Sequence, residues 1–319
     1  MSTYVLYNSL AGNNTCEEQS KKLSGLLSGK TLEFRSVTEI DSYKEFFASL
    51  SEDDEVIICG GDGTLNEVVN AAVVYPNAEV AVVPVGTGND FVKNFTNQRH
   101  FMNMKRQILG KTMKIDLIKF NGRYCANVLN IGFDCSVVQK MGQFRRSKFV
   151  PNKMAYVAGI VSALASEYGE RFRLYIDGEA LEAEEFLLAA FGKGSFYGGG
   201  FKALPLSVMN DGYIDACVAK KISRMSFITC VSKYKAGEHL DLDFITYKKC
   251  RTVRLESDEP IGVCADGEVT METVVDIEVV PEALTLSIPD GCELAALAEE
   301  TAPEEEISVD SPKEEESAI

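Results

Sequence analysis

The chain has 319 residues, of which 45% are apolar and 25% charged, and its formal net charge is −16. This composition is typical of a globular protein with enough apolar residues for two cores of ordinary size. The sequence has no run of the roughly 18 to 20 apolar residues that a membrane helix needs, and its start lacks the basic and apolar regions of a signal peptide, so we expect a cytoplasmic protein.

Most of the negative charge lies at the C-terminal end. From Glu293 onward there are ten acidic residues and one lysine, a net of −9, which leaves −7 for the rest of the chain. High charge and few large apolar residues predict a disordered tail over residues 299–319. The acidic balance, and the lack of a basic motif interleaved with aromatic residues, argue against nucleic acid as a partner.

The cysteines and histidines exclude some classes of site. The nine cysteines are scattered without a CxxC pair, and His100 and His239 are the only histidines. We therefore expect reduced, partly buried thiols rather than a disulfide framework or a histidine-based zinc enzyme.

The first third of the chain alternates short apolar runs with helical periodicity. Strands are predicted at 3–7, 31–37, 55–59 and 78–85, and helices at 16–27, 43–50 and 65–73. This alternation predicts a parallel, doubly wound α/β domain over residues 1–113, whose ligand loops gather at the carboxyl ends of the strands.

Two glycine-rich loops follow two of these strands. GGDGT occupies residues 60–64 and GTGNDF occupies residues 86–91. Such turns direct backbone N–H groups and a helix N-terminus towards a bound phosphate. Asp62 would repel a phosphate unless a cation lies between them, which a magnesium nucleotide would supply. Neither loop fits GxxxxGK[ST] or GxGxxG, so the common nucleotide motifs are absent.

The pattern changes from about Lys114 to strand-like segments separated by turn signals. Asn121-Gly122, Asp177-Gly178 and Asp266-Gly267 are typical of two-residue hairpin turns. A mainly antiparallel β domain is predicted over residues 114–284, with helical interruptions near 151–167 and 223–238.

Four segments in the same order resemble the diacylglycerol kinase catalytic domain family, which includes bacterial lipid kinases, sphingosine kinases and ceramide kinases. They are GGDGTLNEVVN (60–70), PVGTGNDF (84–91), SFYGGGFKALPLSVMNDGYIDACVAK (195–220) and ADGE (265–268). The match runs over nearly all of residues 3–290. It implies a nucleotide domain and a β-rich lipid domain with the active site in the cleft between them, and a return of residues 285–298 to the first domain. It also implies a lipid kinase that uses ATP and Mg²⁺, most simply converting diacylglycerol to phosphatidic acid.

The resemblance assigns roles to individual residues. Asp62 would act through the magnesium ion, Asp90 would face the transferring phosphate and the acceptor hydroxyl, and Glu268 would be the general base for that hydroxyl. Contacts to the nucleotide phosphates are implied for Gly60, Gly61, Gly63, Thr64, Gly86, Thr87 and Asn89.

A second, structural Mg²⁺ is implied at Asp211 and Asp215, because related bacterial lipid kinases use such a segment for an ion. A plain hairpin with solvated aspartates is the alternative there. The first loop departs from the family pattern NPxSG followed by a basic residue. Asn8 and Gly12 are retained as nucleotide contacts, but the proline and the basic residue are absent, which leaves nucleotide affinity and preference open.

Residues 139–156 combine basic and apolar side chains without an acidic one. Lys140, Arg145, Arg146 and Lys148 lie there among methionines and phenylalanines, which is typical of peripheral contact with an anionic membrane. An exposed basic loop is the alternative interpretation.

Two other functions remain open at this point. An NAD kinase shares GGDGT and a downstream DG-acidic motif, although NDF and YGGG favour the lipid kinases. A non-catalytic lipid- or nucleotide-binding protein would explain the altered first loop. The sequence identifies neither the acceptor lipid nor the oligomeric state, and a homodimer is an expectation from the resemblance alone.

Overall fold

The computed structural model describes residues 2–7, 31–51, 54–75, 78–133, 135–137, 140, 162, 168–181 and 185–301. The strands in these ranges are β1 (Ser2–Tyr7), β2 (Thr31–Ser36), β3 (Glu55–Gly60), β4 (Glu79–Pro84), β5 (Lys111–Phe120), β6 (Arg123–Cys125), β7 (Val128–Gly132), β8 (Arg173–Ile176), β9 (Glu179–Ala180), β10 (Phe186–Gly192), β11 (Phe196–Tyr197), β12 (Phe201–Lys202), β13 (Ile214–Lys220), β14 (Ile245–Cys250), β15 (Thr252–Ala265) and β16 (Glu268–Ile288).

The helices are α1 (Tyr43–Ala48), α2 (Asp62–Ala72), α3 (Met104–Ile108), α4 (Arg224–Ala236) and α5 (Ala295–Thr301), with 3₁₀ turns at Val37–Glu39, Phe91–Asn94 and Gln98–Met102. None of the described helices is long and apolar enough to span a membrane.

The N-terminal part is a parallel sheet in the order β2-β1-β3-β4. β3 and β4 are apolar along nearly their whole length because both faces of the sheet are covered, as the buried runs Val56–Cys59 and Val80–Val83 show. α2 lies against one face, with Leu65, Val68 and Val69 in the core. The predicted strands and the helix at 43–50 are confirmed to within two residues, and the helix predicted at 16–27 lies outside the described residues.

The C-terminal part is antiparallel. β7, β10, β13 and β14 are successive antiparallel neighbours, and β15 pairs with β7, β8 and β16. The three predicted two-residue turns connect β5 to β6, β8 to β9 and β15 to β16. Both residues of each turn have positive φ, which asparagine, aspartate and glycine tolerate better than other residues.

The helical interruption predicted at 223–238 is α4. It begins after Ser223, whose side chain accepts a hydrogen bond from the Ser226 N–H, and ends at Gly237 with φ of 82°. The other predicted helix, at 151–167, falls on residues of which only Ser162 is described.

β16 connects the two parts into one mixed sheet. Its first half pairs with β15, and its second half pairs with β5 on both sides of a bulge near Glu282. Its residues Thr285–Ser287 also pair in parallel with β4. Leu294 is then buried against the N-terminal core. The architecture is therefore the predicted one, an α/β domain followed by an antiparallel β domain.

The end of the chain differs from the prediction in one detail. α5 continues to Thr301, so its last three residues fall inside the segment predicted to be disordered. Its sequence AALAEET contains strong helix formers, and the buried Leu294 fixes the start of the helix. Residues 302–319 lie outside the described residues.

Candidate active site

The two glycine-rich loops touch each other through their backbones. β3 and β4 are parallel neighbours with Gly60 opposite Pro84, so the loops leave the same edge of the sheet. A Cβ atom on Gly86 would lie 2.5 Å from the Gly61 Cα. Only glycine allows this approach. The two loops therefore lie side by side next to the N-terminus of α2, which is where a phosphate could bind.

Asp62 lies in the first turn of α2, between the two loops. Its Oδ1 accepts a hydrogen bond from the Phe91 N–H at 3.1 Å. Burial raises the pKa of Asp62, hydrogen bonds from the Phe91 and Asp90 amides oppose that rise, and the nearby carboxylates of Asp90 and Asp266 raise the pKa further. Negative charge therefore accumulates at this point of the fold.

Asp90 is buried and connects the two domains. One carboxylate oxygen accepts from Lys93 Nζ at 2.5 Å, and the other accepts from the Gly199 N–H at 2.7 Å. Gly199 belongs to the YGGG segment of the C-terminal domain, so a hydrogen bond joins two of the motifs quoted above.

Asn89 has an unsatisfied group at the same turn. Its φ is 48° and its side-chain N–H donates to the Gly86 carbonyl at 2.9 Å. Its Oδ1 is buried, and none of the described residues hydrogen-bonds to it. Thr87 and Gly63 lie on the exposed side of the loops, whereas Thr64 is buried beneath Gly60.

Asp266 organises the opposite side of the cleft. Its carboxylate accepts from the backbone N–H groups of Ala126, Asn127 and Val128, from the Asn66 side chain at 2.9 Å and from the Cys125 thiol. Since Asn66 belongs to α2, this carboxylate holds the β15–β16 turn against the N-terminal domain.

Glu268 follows that turn with its side chain half exposed. Its carboxylate lies 3.9 Å from a guanidinium nitrogen of Arg123. Burial raises the pKa of Glu67 on α2, and the negative charge of Glu268 raises it further, which places the two glutamates on the same side of the cleft. Glu268 is therefore accessible to a substrate, whereas Asp90 already uses both oxygens within the protein.

The fit of a magnesium ion differs between the two predicted positions. At Asp62, three neighbouring carboxylates create a site that a cation would stabilise. Among the residues described, no three His, Cys, Asp or Glu side chains form a group that could hold a metal ion by themselves. An ion at Asp62 would thus need oxygen ligands from a nucleotide or water, which is how Mg²⁺ commonly binds at such sites.

Asp211 and Asp215 do not fit the predicted structural ion, because lysine ammonium groups lie where it would bind. Lys193 Nζ contacts Asp211 at 2.6 Å and Asp116 at 3.1 Å, and Lys249 bonds to Asp211 and approaches Asp215 at 3.5 Å. Asp116, Lys193, Asp211, Asp215 and Lys249 together are called the lysine–aspartate network below.

The pKa shifts agree with this arrangement. Burial alone would raise the pKa of Asp211, but hydrogen bonds from Lys193 and Lys249 outweigh it and lower that pKa. Burial raises the pKa of Asp215, and Lys249 and Tyr247 only partly offset it.

Several residues of the site have no counterpart in the sequence predictions. Asn70 on α2 exchanges two 2.8 Å hydrogen bonds with the backbone of Tyr124. Asn94 and Asn127, both buried, hydrogen-bond each other and the backbone at 195–196. The i, i+4 spacing of Asn66 and Asn70 was a readable signal for one polar helix face, whereas nothing local marks Asn94 or Asn127.

Part of the predicted site cannot be located. Asn8, Gly12, Arg145, Arg146 and Lys148 lie outside the described residues. Lys140 is described, and its Nζ donates to the Ser162 carbonyl at 3.3 Å.

Comparison with known families places two domains on the chain. The diacylglycerol kinase catalytic domain matches residues 2–120, and the YegS C-terminal NAD kinase beta sandwich-like domain matches residues 127–288.

Two curated relatives carry the name putative lipid kinase. A Staphylococcus haemolyticus protein is 28% identical over 76% of this chain and 79% of its own length. A Staphylococcus aureus protein of strain MSSA476 is 28% identical over 73% of this chain and 76% of its own length.

Solved structures share the fold. A diacylglycerol kinase from Bacillus anthracis str. Sterne superposes with a TM-score of 0.70 at 23% identity, covering 89% of this chain and 96% of that one. An NAD kinase from Archaeoglobus fulgidus in complex with ATP gives a TM-score of 0.51 at 10% identity, covering 91% and 94%.

Proposed function

Since the chain belongs to the diacylglycerol kinase catalytic domain family, we propose that it is a lipid kinase that transfers the γ-phosphate of ATP to a lipid hydroxyl. Diacylglycerol is the acceptor we propose first, with phosphatidic acid as product. The observation that carries this function is the contact between Gly61 and Gly86, which sets Asp62 beside Asp90 at the edge of the sheet.

Phosphoryl transfer depends on alignment and charge compensation more than on covalent help from the protein. The N-terminus of α2 and the backbone of the 86–89 turn are suited to phosphate oxygens. Asp62, beside Asp90 and Asp266, would hold a magnesium ion together with nucleotide oxygens. When bound, the ion would compensate the negative charge of the phosphates.

The reaction then needs one base. The lipid hydroxyl oxygen forms a bond to the γ-phosphorus while the bond to the bridging oxygen of ADP breaks, and the hydroxyl proton passes to a carboxylate. Glu268 is the candidate, because it is accessible and Asp266 fixes the turn that carries it. Lys93, bonded to Asp90, supplies a positive charge close to the site.

The membrane association that a lipid acceptor requires belongs to the same proposal. The predicted contact through Lys140, Arg145, Arg146 and Lys148 remains a prediction.

The test is transfer of radiolabelled γ-phosphate from ATP, with Mg²⁺, to diacylglycerol in mixed micelles and, separately, to NAD. We expect labelled phosphatidic acid and no labelled NADP. Label in NAD would move the protein to the NAD kinases, and no label in either acceptor or in a total lipid extract would refute the kinase.

Asp62→Asn is the matched control for this assay. Because Asp62 is partly buried beside two other carboxylates, the neutral variant should keep or raise the melting temperature. Transfer should fall at least 100-fold, which corresponds to about 2.7 kcal/mol of transition-state stabilisation. A variant that melts earlier than wild type would show that Asp62 has a structural role instead.

A further inference from the structure

A second cavity, of about 600 Å³, lies next to Asp90 on the side of Lys93. Its walls come from the 3₁₀ turns Phe91–Asn94 and Gln98–Met102, from residues 195–209 of the C-terminal domain and from the start of α5. Its volume is within the range of about 300 to 1,000 Å³ that ligand sites occupy. We call it the basic pocket.

The charge of the basic pocket is opposite to that of the whole chain. Lys93, Arg99, His100 and Lys202 line it, and none of the lining residues that the structure describes is an aspartate or glutamate. Lys93 is already paired with Asp90, so Arg99 and Lys202 are the charges that favour an anion here, in a protein of net charge −16.

The rest of the lining is suited to an amphiphile. Phe95, Met209 and Leu294 are apolar lining residues and are themselves almost fully buried. Ser207 also lines the pocket and is only 4% exposed, yet its Oγ has no hydrogen-bond partner among the described residues. A buried hydroxyl without a partner carries a free-energy cost that a ligand oxygen would remove.

The edge of the basic pocket carries exposed apolar side chains. Leu206, between the lining residues Pro205 and Ser207, is 54% exposed, and Leu297, next to the lining residue Ala296, is 42% exposed. Exposed large apolar residues beside a binding site are typical of contact with a membrane. A lipid ligand would then enter the pocket from a bilayer at this edge.

We propose that the basic pocket binds the phosphate-bearing headgroup of an anionic glycerophospholipid, with the phosphate near Arg99 and Lys202 and the glycerol against the apolar lining. Lys93 links this pocket to Asp90 and so to the proposed active site. Binding here does not depend on which hydroxyl is phosphorylated, and it is measured without ATP.

The first experiment is calorimetric titration with dioctanoyl phosphatidylglycerol below its micelle concentration. Arg99→Gln/Lys202→Gln should weaken binding at least tenfold. Lys44→Gln/Lys220→Gln, which removes the same charge from two exposed lysines outside the pocket, should bind like wild type. Equal binding by the pocket variant and wild type would overturn the proposal.

Two further ligands separate the sources of affinity. Dioctanoylglycerol, which lacks the phosphate, should not compete with the phospholipid for the pocket. Inorganic phosphate should bind at least tenfold more weakly than the phospholipid. If phosphate alone bound as tightly, the apolar lining would contribute nothing and the lipid assignment would be wrong.

Ser207→Ala tests the unpartnered hydroxyl in a protein that still folds. Removing a buried group that bonds to nothing should leave the melting temperature unchanged or raise it, while phospholipid binding weakens severalfold. Unaltered binding would remove Ser207 from the site. Leu206→Ser should in turn reduce sedimentation with vesicles that contain phosphatidylglycerol, and unreduced sedimentation would contradict presentation from the bilayer at this edge.

The outcome is distinguishable from failure of the proposed kinase. If the protein phosphorylates diacylglycerol but wild type and Arg99→Gln/Lys202→Gln bind the phospholipid equally, the kinase proposal is supported and the pocket proposal is refuted. If the phospholipid binds through Arg99 and Lys202 but no acceptor is phosphorylated, the pocket proposal is supported and the kinase proposal is refuted.

Discussion

Replacing Lys193 by methionine should destabilise the fold strongly. The side chain is 0% exposed, and its ammonium group donates to Asp211 at 2.6 Å and to the Tyr213 carbonyl at 2.5 Å, in addition to its contact with Asp116. Methionine preserves the length and apolar stem but removes the charge. The buried Asp116 is then left without a cation from any residue that the structure describes.

The expected loss follows from what each partner retains. Asp211 keeps Lys249 and is 22% exposed, so water compensates part of its loss. Asp116 is 2% exposed, and within the described part of the chain it keeps two N–H donors, Gly212 at 2.8 Å and Glu282 at 3.0 Å. Breaking a buried pair from one side costs about 3–5 kcal/mol, and the two remaining hydrogen bonds favour a value of about 3 kcal/mol.

Urea unfolding measures this change. With a slope of about 1–3 kcal/mol per molar urea, the midpoint should fall by about 1 M or more. The double variant Asp116→Asn/Lys193→Met should cost less than the sum of the two single variants, because it removes both charges. Lys220→Met, at an exposed lysine of β13, serves as control.

Two results would refute this reasoning. One is a loss below about 1 kcal/mol for Lys193→Met, which would mean that the ion pair is dispensable. The other is a fall in the wild-type midpoint on adding a chelator, since the lysine–aspartate network is held together by ammonium groups and should need no divalent ion.

Two shorter predictions concern the turns. Gly86→Ala should lower the melting temperature and abolish phosphate transfer, because its Cβ would overlap the backbone of Gly61. Gly63→Ala has no atom within 4 Å of its added carbon and should keep the melting temperature. Equal melting temperatures for the two variants would contradict the close approach of the two loops. Burial alone would raise the pKa of Asp177, but hydrogen bonds from the Thr252 and Arg251 amides lower it below 3.8. A carboxylate whose pKa is lowered by folding stabilises the folded state at pH values above its unfolded-state pKa, and this stabilisation is lost as the pH falls through its folded-state pKa. Asp177→Asn should therefore be less stable than wild type at pH 7, and the difference should shrink below about pH 4. A stability difference that does not depend on pH would refute this prediction.

The elements that the sequence predicted well are those fixed by local chemistry. β3 and β4 are continuous apolar runs because both faces of the sheet are covered, so the sequence pattern alone predicts that these strands are buried. The turns at Asn121, Asp177 and Asp266 were readable because positive φ at consecutive positions restricts the residues that can occupy them.

The contacts that assemble the candidate site are a different case, since they join residues far apart in the chain. Asp90 bonds to Gly199, Asn66 to Asp266, and Asn94 to Asn127. No periodicity or turn rule encodes such a pair, because each partner is an ordinary residue in its own segment. Only the order of the motifs indicated that they belong together, and the resemblance to a family supplied that order.

The lysine–aspartate network shows why a motif alone misleads about a ligand. DGYID supplies two carboxylates, and from the sequence a cation between them was a reasonable expectation. The cations come instead from Lys193, which precedes the YGGG segment, and from Lys249 on β14, a neighbour of β13. Asp116 lies on β5 and accepts from Glu282 at the bulge where β16 passes from one domain to the other. These ion pairs compensate most of the negative charge of the three aspartates at the domain junction. The stability of the junction and the magnesium requirement of the proposed reaction should therefore be separable by experiment.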